Sequence, residues 1–115
     1  MMNLYTYIKQ DFIRNTFNES CVIISNINES EKIAIEVSMG ASYNIIFETS
    51  SLKQRFFSVL REQLGDICII NCDSMNDRFI NDLNNSYGLV VFDNVNKCKD
   101  LELFNYIKTN KVIIC

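Results

Sequence analysis

Hydrophobic positions along this chain fall into two alternating registers. Short runs rich in β-branched residues recur at Cys21–Ser25, Asn44–Glu48, Ile67–Cys72, Leu89–Asp93 and Lys111–Cys115. Each is nearly apolar on both faces instead of alternating, the pattern of a strand covered by helices on both sides. The segments between them carry helical spacing. Ser51–Leu64 puts Leu52, Phe56, Val59, Leu60 and Gln63 or Leu64 on one stripe and Lys53, Arg55, Arg61 and Glu62 elsewhere. Ser50 or Ser51 is placed to cap its start, and Gly65 to close its end. Ser30–Met39, Asn76–Asn84 and Asp100–Thr109 read as further helices, and Asn3–Phe17 as an amphipathic one with Leu4, Ile8 and Phe12 at helical intervals.

Strand and helix therefore alternate without interruption. The expected fold is α/β, a three-layer sandwich around a mostly parallel sheet of about five strands. Residues 1–115 read as one domain, with an N-terminal helix over 1–19 and the core over 20–115. A hydrophobic content of 48% is ample for one continuous core in 115 residues.

Composition narrows the function classes. A net charge of −3 provides no basic field for nucleic acid or an anionic membrane, so direct nucleic-acid binding is not expected. No apolar run approaches the roughly 18 residues needed to span a bilayer, and no membrane role is expected. Five cysteines, an odd number, lie in or beside apolar runs, and histidine is absent. This is the pattern of buried thiols in a reducing compartment, not of a disulfide or zinc framework, and it points to a cytoplasmic protein.

Candidate chemistry gathers at strand ends, where open parallel sheets bind ligands. The first strand runs through Ser25-Asn26-Ile27-Asn28-Glu29-Ser30-Glu31-Lys32 into a helix, placing Lys32 where a GxxxxGK[ST] phosphate loop has its lysine. Asn26 and Glu31 stand in for the two glycines, and Ile33 for the magnesium-binding hydroxyl residue. The segment Leu89-Val90-Val91-Phe92-Asp93 is an apolar strand ending in an acid, the form of a Walker B strand. Asn94 follows, where a glutamate usually activates water, and an amide cannot take a proton as general base.

On these motifs the chain resembles the P-loop ATPases of the AAA+ and STAND groups over residues 20–115. The resemblance implies nucleotide-binding positions at Lys32, Asp93 and Asn94, with no catalytic residue. Function is accordingly expected to be that of a degenerate, non-enzymatic protein-binding module. Its asparagine-rich, proline-free composition has the character of a phage, viral or mobile-element protein, one that docks on or inhibits a host AAA+ ATPase or replication factor. No cofactor is expected on this reading. The alternatives are a nucleotide-binding subunit that takes ATP and magnesium and is completed by a partner ATPase, and a doubly wound small-molecule enzyme using Glu48 and Asp73 at strand ends.

The protein partner is expected to be an AAA+ ATPase or a second copy of the chain, through Leu4, Ile8 and Phe12 of the first helix or Val112 and Ile114 of an exposed final strand. Two further groupings are weighed against plain surface roles. Lys53, Arg55 and Arg61 read as a solvated helix face, and Asp73, Asp77 and Asp93 as capping acids before a cation site.

Overall fold

A computed structural model describes residues 4–74, 89–99, 101–106 and 110–115. The elements are α1 (Leu4–Phe17), β1 (Val22–Ile24), α2 (Ile27–Ser38), β2 (Asn44–Phe47), α3 (Ser50–Leu64), β3 (Cys68–Asn71), β4 (Leu89–Asp93) and β5 (Asn110–Ile114). Short 3-10 turns at Cys72–Ser74, Val95–Lys97 and Leu101–Tyr106 accompany them. The five strands form one all-parallel sheet in the order β1-β2-β5-β4-β3.

The period-two geometry of strands divides the apolar runs between two layers. Ile24, Ile45, Phe47, Val91, Val112 and Ile114 point to one face, where they pack with Ile33, Ala34 and Val37 of α2 and Leu52, Phe56, Val59 and Leu60 of α3. Their neighbours Ile46, Val90, Phe92 and Ile113 point to the other face, beneath Ile13 of α1 and Phe104. Phe104 bridges that layer, with its ring 5.1 Å from Phe92 and 5.5 Å from Phe17. The three-layer α/β sandwich expected from the double-sided apolar runs is thus the fold observed.

Helix ends follow local chemistry. Asn26 caps α2 through its Oδ1, which accepts the Glu29 N–H at 2.9 Å, while its Nδ2 donates to the Glu29 carboxylate. This starts α2 one turn earlier than the expected Ser30. Thr49, not Ser50 or Ser51, caps α3 by accepting the Leu52 N–H. Gly65 closes α3 with a φ of 77°, a conformation glycine adopts without steric cost. Leu64, expected on the buried stripe, is 43% exposed in the last turn.

The position of β5 corrects an expectation. Val112 and Ile114 were assigned to an uncovered edge, but β5 lies between β2 and β4, and the two side chains are 0% and 1% exposed. Neither can reach a partner. The expected helix at Asn76–Asn84 lies outside the described residues, and of Asp100–Thr109 the described part is the 3-10 segment Leu101–Tyr106.

Candidate functional site

Connections leaving β1 and β2 pass through α2 and α3 on one face, whereas the described part of the connection leaving β4, with Val95 and Phe104, packs on the other. The direction reverses between β2 and β4, with β5 between them. A crevice at the carboxyl ends of the strands is expected at such a reversal. A cavity of about 230 Å³ is found there, lined by Glu48, Thr49, Ser50 and Lys53 from the β2–α3 side, Asn94 after β4, Cys115 after β5, and Lys9 from α1.

The central interaction beside this cleft is an ion pair. Lys53 Nζ lies 3.0 and 3.3 Å from the two carboxylate oxygens of Asp93, with the side chains 28% and 15% exposed. Lys53 stands one turn into α3, and Asp93 ends β4, so the pair crosses over β5. Asp93 Oδ1 also accepts the Asn94 backbone N–H at 2.9 Å. Asn94 has a φ of 57°, in the left-handed region that asparagine tolerates better than most residues, and its Nδ2 donates to Asn71 Oδ1 at 3.3 Å. These contacts tie the end of β4 to α3 on one side and β3 on the other.

Lys32 does not take part. It is an exposed residue within α2, after β1 at the sheet edge. The β1 and β4 ends are three strand positions apart, about 14 Å at ordinary strand spacing. A phosphate-loop lysine and a Walker B acid must act on one phosphate–magnesium cluster; the structure places Lys32 apart from Asp93 and Asn94, and the lysine brought to Asp93 is Lys53. The residues therefore do not fit magnesium nucleotide as the resemblance implies. Two glycine positions are filled by other residues, the expected lysine is remote, and the carboxylate is engaged by an ammonium group.

Lys53, Thr49, Lys9 and Cys115 are the residues that sequence reasoning missed. A signal for the first two was present, since Glu48-Thr49-Ser50-Ser51 is a second polar strand-to-helix junction with a lysine one turn in. Of the three basic residues on α3, Lys53 reaches Asp93, Arg55 pairs with Glu31 at 3.3 Å at the surface, and the exposed Arg61 lies over the Phe57 ring. Of the three acids considered for a cation, Asp93 is paired, Asp73 is exposed, and Asp77 lies outside the described residues. Glu48 lines the cleft, whereas Asp73 follows the edge strand β3.

The thiols near the cleft are buried. Burial pushes Cys72 up to about 12, helped by Cys98, Asp93 and Asp73 nearby. Burial pushes Cys115 up to about 11 against a lowering influence from Lys9. All five cysteines are free, and Cys72 and Cys115 are protonated packing groups near neutral pH.

A second, larger cavity of about 840 Å³ opens at the opposite, amino ends of the strands, lined by Glu19, Ser20, Tyr43, Asn44 and Lys111 among others. Glu19 accepts there from Asn44 Nδ2 at 2.7 Å, and Tyr43 donates to Glu36, a bond that raises the tyrosine pKa. Among the described residues no helix is long and apolar enough to cross a membrane. No protein-family model matches the chain, and no curated protein or solved structure matches it.

Proposed function

We propose that this chain is a non-hydrolytic binding module built on a degenerate P-loop-like scaffold, which acts by docking on another protein of the AAA+ ATPase or replication-factor class. The observation that carries the proposal is the Lys53–Asp93 ion pair beside the switch-point cleft. A Walker B aspartate serves hydrolysis by holding magnesium through water, and here that carboxylate is held by an ammonium group in a partly buried setting. Asn94 follows it and cannot act as a general base. The remaining value of such a fold lies in its surfaces.

A second reading, nucleotide binding without turnover, is favoured by the convergence of Lys9, Lys53, Thr49 and Ser50 on one cleft. Phosphate-release assays and calorimetric titration with magnesium-ATP and magnesium-ADP separate the readings, using the native chain beside Lys53→Ala and Lys32→Ala. The binding-module reading expects no turnover and no heat. Turnover abolished by Asp93→Asn would overturn it. Heat lost in Lys53→Ala and retained in Lys32→Ala would establish the nucleotide-binding reading instead.

A further inference from the structure

The first two turns of α1 have their polarity inverted. Leu4, Tyr5, Tyr7 and Ile8 are 75%, 73%, 54% and 58% exposed, while the same two turns bury Thr6 and half-bury Lys9 and Gln10 against the domain. Amphipathic helices ordinarily turn the apolar stripe inward. The second half of α1 obeys that rule, with Ile13 fully buried and Phe12 and Phe17 packed on the sheet. Its outward positions Asp11, Arg14 and Asn15 are polar, and Asp11 and Arg14 pair with each other at 3.6 Å. The apolar outward face is therefore confined to two turns and bounded by charge.

From this face we infer that the chain forms a symmetric homodimer in which the Leu4–Ile8 faces of two α1 helices pack on each other. Area selects this occupant. Two tyrosines, a leucine and an isoleucine at these exposures present on the order of 500 Å² of mostly apolar surface, already at the upper range for a monomer. One such patch is about half of what a biological interface needs, but two copies brought together bury about 1,000 Å², the threshold that such an interface must reach. A two-fold contact uses the same patch twice and requires nothing further of the chain.

The helical geometry also permits self-packing. Leu4 and Ile8 form an i, i+4 pair on the outward face, able to seat in the groove of an identical helix. The bordering charges, Lys9, Asp11 and Arg14, include both signs, so self-contact does not oppose charges of one sign alone. Lys9 lies 5.4 Å from the centre of the Tyr5 ring, which ties the patch border to the cleft that the same lysine lines.

The test is analytical ultracentrifugation of the full chain from about 1 to 100 µM, beside Ile8→Asp, Leu4→Ser and, as a control, Met39→Asp at the exposed C-cap of α2. The expected result is a dimer whose dissociation constant rises about 30-fold or more in Ile8→Asp, rises to a smaller extent in Leu4→Ser, and is unchanged in Met39→Asp. Ile8 and Leu4 are exposed, so thermal melts of both variants should match the native chain at concentrations below its dimer dissociation constant. A native chain that remains monomeric at 100 µM overturns the inference, as does a dimer indifferent to both α1 substitutions.

Discussion

Lys53 and Asp93 stand forty residues apart in sequence and meet across the carboxyl end of β5, joining the α3 layer to the end of β4. The partly buried setting makes the pair asymmetric in energy. Forming it gains little over hydrating both ions, whereas removing one partner strands the other. Lys53→Ala is therefore expected to cost about 1–3 kcal/mol of stability, and Lys53→Met/Asp93→Leu less than the two single changes summed. Urea unfolding of the double-mutant cycle measures this, and strict additivity would show that the two side chains act independently.

Ile114 supports the centre of the sheet. Truncating Ile114→Ala removes a fully buried side chain from the layer under α2 and α3 and should cost about 2–5 kcal/mol, with no effect on association beyond that of unfolding. Chemical denaturation checks the first part and sedimentation below the melting transition the second.

Ser30 is a polar group in an apolar layer. Its side chain is wholly buried, and its Oγ donates to the Leu52 carbonyl at 2.7 Å, bonding α2 to the first turn of α3. Ser30→Ala leaves that carbonyl without this donor and should lower stability by about 1–2 kcal/mol. Ser30→Val should cost more, because it adds volume at a wholly buried position between the two helices.

The thiols give the chain an alkaline limit. In the folded state Cys72 holds its proton to about pH 12 and Cys115 to about pH 11, against an ordinary thiol value of 9.0. The native state thus binds more protons than the unfolded chain above pH 9, so stability falls as pH rises from about 9 to about 12. Melting temperature should decline over that window and decline less in Cys72→Ala, once its own cavity cost is subtracted at pH 7. Iodoacetamide labelling at pH 8 should also spare Cys72 and Cys115 relative to the less buried Cys21.

Much of the fold was legible because parallel strands covered on both sides need apolar residues at every position. The run Leu89–Asp93 matches β4 residue for residue, and the stripe of α3 identified Leu52, Phe56, Val59 and Leu60 as core. Strand order was not legible, for the same reason. The strings Cys21-Val22-Ile23-Ile24 and Lys111-Val112-Ile113-Ile114 are nearly identical, yet the first forms an edge and the second the centre. Local composition records that a strand is buried, not which neighbours bury it. The candidate site depends on that order: the motif lysine is expected in the loop after β1, whereas the crevice lined by Lys53 and Asn94 opens between β2 and β4. Asp93 and Asn94 are legible because a strand-terminal acid is a local feature. The pairing of Lys53 with Asp93 is not, because it depends on the sheet order.

The central placement of β5 also sets an order of assembly. Until residues 110–114 insert, β1–β2 and β3–β4 are two separate strand pairs, each too small to persist alone in water. Most of the sheet's cooperativity thus waits on the fifth of its five strands in chain order, and on loop closures that are slow to make. A nascent chain paused before Lys111 exposes two unpaired inner edges at once. In that interval, more than in the finished domain, the protein is open to chaperones, proteases and aggregation.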